Sequence, residues 1–176
     1  MNKRYIYVLL TRFPDRGSKV ISFLTNSYYT HASLGLEEDM NTFYSFVDKG
    51  FIVENLSRYL RPEWEPLPCQ LYQLEVPEKV YETIKRMVNI RAQNRKYLHY
   101  SRIGVVMGLL GIPLKRRHHY FCSQFVAETL QCSEALKLKK CCSLYFPGDF
   151  HKLPEAKLHY QGNLLTMLRH FSILPC

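Results

Sequence analysis

The chain has 176 residues, 47% of them hydrophobic and 22% charged, with 13 Tyr and 10 Phe. These proportions exclude a disordered or low-complexity chain and supply enough apolar mass for one domain with a core, expected over residues 1–176. The formal net charge of +9 favours an acidic partner, but the cations fall in short groups (Arg91-Arg95-Lys96, Lys115-Arg116-Arg117 and Lys137-Lys139-Lys140), so specific nucleic-acid binding is not expected. A membrane surface is compatible with that charge, although nothing in the sequence calls for one.

In chain order, Tyr5 to Leu10 is an apolar run rich in tyrosine and aliphatic residues and predicts a buried strand. Arg12, Pro14 and Asp15 end it without a small-residue cleavage site, which favours a strand over a signal peptide. The run Ile103 to Ile112 is too short to span a bilayer and carries three glycines. A cytoplasmic protein is expected, with its six cysteines reduced. A loop over Thr11 to Gly17 leads to Ser18, which can cap a short helix over Lys19 to Asn26.

Tyr28 to Leu36 alternates. Ala32, Leu34 and Leu36 share one face, and His31, Ser33 and Gly35 share the other. Glu37, Glu38 and Asp39 form a solvated turn, and Asn41 to Val47 returns as the second strand of a hairpin. Phe51 to Trp64 reads as irregular, with a helical turn over Glu54 to Leu60 and prolines beyond it. Cys69 to Val76 alternates as a strand. Pro77-Glu78 opens a helix to about Asn94, with Val80, Ile84, Met87, Val88 and Ile90 on its apolar side.

Tyr97 to Leu110 reads as one further helix and Leu114 to Tyr120 as a basic loop. In Cys122-Ser123-Gln124-Phe125-Val126-Ala127-Glu128-Thr129-Leu130 the residues Phe125, Val126 and Leu130 recur at helical spacing. Cys122 therefore lies in the first turn of a core-facing helix, where free N–H groups and the helix dipole favour thiolate. A polar segment, Gln131 to Ser143, and a turn over Pro147 to Phe150 follow. Alternation resumes at Lys157 to Tyr160, and apolar clusters lie at Leu164 to Leu168 and Phe171 to Leu174. The order of elements predicts an α+β fold, a mainly antiparallel sheet with helices packed on it.

A strand histidine and a cysteine at a helix start are the minimum for thiol catalysis, because the imidazole can take the thiol proton and hold the thiolate. The chain resembles the circularly permuted branch of the NlpC-type papain-like superfamily, the YiiX-like thiol hydrolases, which are related to the lecithin:retinol acyltransferase-like proteins. The resemblance rests on Tyr29-Thr30-His31-Ala32-Ser33-Leu34, Asn41-Thr42-Phe43-Tyr44-Ser45-Phe46 and Phe121-Cys122-Ser123-Gln124-Phe125-Val126, with Tyr97 and Tyr100 ahead of the cysteine helix. It runs from about Tyr5 to about Phe150, and His preceding Cys marks the permutation.

The resemblance implies a papain-like fold, with Cys122 as nucleophile and His31 as base, acting on an amide, ester or thioester of a peptide or lipid. It also implies a third polar residue on the hairpin's second strand. Strand parity leaves Ser45 and Tyr44 open, and motif position favours Ser45, which departs from the family's His, Glu, Asp, Asn or Gln. An imidazole nitrogen is expected within roughly 3–5 Å of the sulfur. A non-catalytic member of the same fold, binding a ligand or partner through its basic surface, is the alternative.

The spacings of His118, His119, Cys122, Cys132, Cys141 and Cys142 fit no zinc pattern, and no metal or cofactor is expected. Tyr100 is a core tyrosine that could also reach an oxyanion. Among the six thiols only Cys122 combines a helix start with a histidine partner. Cys69 is expected to be half-buried, and Cys141 and Cys142 to be mildly activated by Lys139 and Lys140.

Overall fold

The computed structural model describes residues 3–13, 22–23, 25, 27–59 and 67–171. The predicted loop before Ser18 and the helix over Lys19 to Asn26 fall largely outside these residues, as do Leu60 to Trp64, the end of the C-terminal apolar cluster and Cys176.

The fold is α+β. Strands β1 (Lys3–Thr11), β2 (His31–Leu36), β3 (Thr42–Val47), β4 (Gly50–Asn55), β5 (Pro68–Pro77) and β8 (Lys157–Asn163) form one six-stranded antiparallel sheet in the order β4-β3-β2-β1-β5-β8. Strands β6 (His99–Tyr100) and β7 (His119–Tyr120) form a separate two-stranded parallel pair. Among the described residues, the α-helices with both ends placed are α1 (Glu78–Gln93), α2 (Arg102–Leu109), α3 (Cys122–Cys132) and α4 (Leu164–His170). No described helix is long and apolar enough to cross a membrane.

Alternation along the strands divides the core. Ile6, Val8, Leu10, Ala32 and Leu34 meet Ile84 and Val88 of α1 and Phe125, Val126 and Leu130 of α3 on one face. Tyr7, Leu9, Phe43, Cys69 and Leu71 meet Leu164, Met167 and Leu168 of α4 on the other. Helix α1 buries Tyr81, Ile84 and Val88, while Ile90, expected on its apolar side, is exposed. Helix α3 is buried at every position from Cys122 to Leu130, so it is enclosed by the fold on all sides.

Three regions differ from the sequence reading. Residues 50–55 are not irregular but form β4, and the predicted helical turn is a 3-10 turn confined to Leu56–Tyr59. The two-residue loop Asp48-Lys49 joins β3 to β4 with Gly50 at φ +97°. A Cβ there would lie 2.2 Å from the Leu98 carbonyl oxygen, so both backbone and space require glycine. Gly50→Ala is accordingly expected to lower unfolding free energy by about 1–3 kcal/mol, read as an earlier denaturant midpoint; an unchanged midpoint would show the turn to be unconstrained.

The helix predicted from Tyr97 begins instead at Arg102. Ser101 accepts the Gly104 N–H at 3.0 Å as a cap, and His99-Tyr100 pairs with His119-Tyr120 of the predicted basic loop. The acidic turn is not simply solvated. Arg4 reaches Glu37, Glu38 and Glu78, and Lys85 reaches Glu38, which ties the β2–β3 turn to β1 and α1.

Candidate active site

The site lies where the β2–β3 ladder stops. The paired residues are Leu34 with Tyr44 and Gly35 with Phe43. Before Leu34 the two strands no longer pair backbone to backbone. Ser45 Oγ instead donates to the Ala32 carbonyl at 2.7 Å, and the Ala32 N–H is left to favour the Cys122 thiolate. His31 belongs to the face opposite the one α3 covers, yet this opening lets the first turn of α3 meet it. The His31 ring and the Cys122 thiol come close enough for each to shift the other's protonation.

The other side of the imidazole determines its orientation. His31 Nε2 lies 2.7 Å from Glu54 Oε1, and Ser33 Oγ donates to Glu54 Oε2 at 2.8 Å. Against a carboxylate Nε2 carries the proton, which leaves Nδ1 for the thiol. Glu54 lies opposite Phe43 in the β3–β4 register, so it shares the face of Ser45, Ser33 and His31. All three members are buried, Cys122 being 6% exposed. Phe13 closes one side of the imidazole edge-on, with ring centroids 5.4 Å apart.

The third polar group is therefore Glu54, and the expectation for Ser45 is corrected. Parity does place Ser45 on the His31 face, but its hydroxyl is spent on the Ala32 carbonyl. Tyr44 points to the opposite face and stacks on Phe51 with centroids 6.4 Å apart. Glu54 was missed because β4 was missed. The signal was present in Asp48-Lys49-Gly50 followed by Phe51-Ile52-Val53, a tight-turn dipeptide ahead of a β-branched run.

The electrostatics follow from burial opposed by specific partners. Burial alone would lower the His31 pKa. The Glu54 carboxylate and the Cys122 hydrogen bond overturn that and raise it to about 10. Burial alone would raise the Cys122 pKa, but the His31 hydrogen bond and charge, with the N–H groups of Ala32 and Ser123, bring it below the usual thiol value. Both shifts favour thiolate–imidazolium over the neutral pair. Phe121 at the N-cap of α3 offers no side-chain acceptor, so the first-turn amides are not consumed locally and can serve the sulfur or an oxyanion beside it.

The remaining described thiols separate clearly. Burial raises Cys69, which is fully enclosed rather than half-buried, to about 12. Burial, followed by Glu128, raises Cys142 to about 11. Only Cys141 of the neighbouring pair is activated, chiefly by Ser143 rather than by Lys139 or Lys140. Cys141 is also exposed. Mildly acidic iodoacetamide is therefore expected to modify Cys141 and Cys122 and to spare Cys69 and Cys142, with His31→Ala slowing Cys122 alone in mapped peptides. Labelling of Cys69 at a comparable rate would contradict this order.

Tyr100 sits on β6 and packs against the helix-side core. Among the described residues, no group of three or more His, Cys, Asp and Glu is placed to hold a metal ion. No protein-family model matches this chain, and no curated protein does.

Proposed function

We propose that this protein is a cysteine hydrolase or acyltransferase of permuted papain-like type, with Cys122 as nucleophile, His31 as base and then acid, and Glu54 as the residue that orients and charges His31. The observation that carries this reading is the buried chain Cys122–His31–Glu54 at the start of a helix with an open first turn. The thiolate sulfur attacks the carbonyl carbon of an amide, ester or thioester, and the first-turn amides face the developing oxyanion. The imidazolium gives its proton to the leaving group as the carbon–heteroatom bond breaks, leaving an acyl-thioester on Cys122. Neutral His31 then takes a proton from water, or from the alcohol, amine or thiol acceptor, whose attack releases the acyl group and regenerates thiolate and imidazolium.

Peptide amides and lipid acyl groups are both substrate classes that the resemblance implies. Activity-based probes directed at amides and at esters, followed by peptide mapping, test the reading. The expected result is one adduct on Cys122, lost in His31→Ala, and the better probe class identifies the bond. One observation favours the alternative of a non-catalytic binding protein, namely the burial of Cys122. Under that alternative Cys122 forms no adduct with either probe class while Cys141 still alkylates.

A further inference from the structure

Helix α2 packs with its smallest residues inward. A Cβ on Gly104 would lie 2.6 Å from Ser101 Oγ and 3.4 Å from the Phe121 ring, and a Cβ on Gly108 would lie 2.9 Å from the Ser143 carbonyl oxygen. The large apolar side chains point the other way. Ile103 is 57% exposed, Val106 55% and Leu110 67%, with Ile112 just beyond at 47%. Spacings of three and four place the first three on one face. An ordinary surface helix does the reverse, so this face is made to be covered by something.

The surrounding charge indicates what covers it. No acid occurs from Arg102 to His119. Exposed Arg102 flanks the apolar face at one end and exposed Lys115, Arg116 and Arg117 at the other. Arg102 is drawn to Asp48 and Lys115 to Glu128, but among the described residues no acid pairs with Arg116 or Arg117. The same loop supplies Arg117, His118 and His119 to a cavity of about 630 Å³ whose lining also includes Arg91 and His99 and no carboxylate. A second copy docking through this face would bring two such basic clusters together in a chain of net charge +9. An apolar face rimmed by cations suits the boundary between anionic headgroups and acyl chains.

We propose that α2 and the loop to Arg117 dock the protein onto an anionic membrane surface. Ile103, Val106, Leu110 and Ile112 enter the interface, while Arg116 and Arg117 meet headgroup anions. Docking would also set the site beside the lipid, because Phe121, the residue before Cys122, packs directly under Gly104. The inference stands independently of the thiol chemistry.

Vesicle flotation of the intact chain tests it, using vesicles of equal phosphatidylglycerol and phosphatidylcholine and vesicles of phosphatidylcholine alone. The expected result is flotation with the anionic vesicles that weakens with salt, and little with the neutral ones. Val106→Ser/Leu110→Ser should lose at least about tenfold in partitioning, and Arg116→Gln/Arg117→Gln about fivefold per charge. All four positions are exposed, so near-ultraviolet circular dichroism should be unchanged in both variants. The proposal is overturned if the wild type does not float with anionic vesicles, or if the serine variant floats as well as the wild type. It is equally overturned if sedimentation shows a wild-type dimer that the serine variant dissolves and no vesicle binding.

Discussion

Glu54→Gln is expected to slow Cys122 alkylation and turnover by about 10²- to 10⁴-fold while the protein remains folded. The amide is close in shape to the carboxylate, and its oxygen can still accept from Nε2 while its NH2 donates to Ser33 Oγ. What it lacks is the charge that, together with the hydrogen-bonding partners, overcomes burial and keeps His31 protonated. Without it the buried imidazole returns to the neutral form, and Cys122 loses the cation that holds its thiolate. Ser45→Ala provides the contrast. It removes one hydrogen bond to the Ala32 carbonyl and should cost about 1 kcal/mol of stability without changing the pH dependence of Cys122. Equal losses of reactivity in the two variants would return Ser45 to the role given to Glu54.

His31→Ala is expected to remove reactivity at neutral pH by a similar factor, about 10²- to 10⁴-fold, and to change the shape of the pH profile. In the wild type the Cys122 pKa is depressed, so reactivity is present above that lowered value and is lost as pH falls through it. The His31 pKa is raised, so the imidazolium that protonates the leaving group is kept until pH rises through about 10. The wild-type turnover profile should therefore be a broad plateau spanning neutrality. In His31→Ala burial acts on the thiol with only the Ala32 and Ser123 N–H groups against it. Alkylation should then climb only on the alkaline side, above the ordinary thiol range. A mutant alkylation profile that overlays the wild type would separate the two residues chemically, whatever their contact.

Most of the sheet and the long helix were legible because their hydrophobic periods are local. Tyr5 to Leu10, the alternation around His31 and the Cys69 to Val76 run all appear as strands, with ends shifted by a few residues. Strand β4 was not legible as read, because the turn lies in Asp48-Lys49-Gly50 and the glycine's need is set by Leu98, some fifty residues away. That one omission also hid Glu54, since a carboxylate looks like surface until a strand register brings it inward. The Cys122–His31 contact was legible as chemistry but not as geometry. Alternation alone puts His31 on the face away from α3, and only the early end of the β2–β3 ladder lets them meet. The split between Cys141 and Cys142 rests on the Ser143 hydroxyl beside one and the burial of the other, for which sequence spacing carries no signal.

The central claim is that Cys122 and His31 form an ion pair in the resting protein. Ultraviolet difference absorbance of the thiolate, wild type minus Cys122→Ser, measured across a pH titration, tests it most directly. The expected result is one thiolate's absorbance at neutral pH in the wild type, absent at neutral pH when the same difference is taken in the His31→Ala background. A wild-type difference that appears only above about pH 8.5, where an ordinary thiol ionises, would contradict the account.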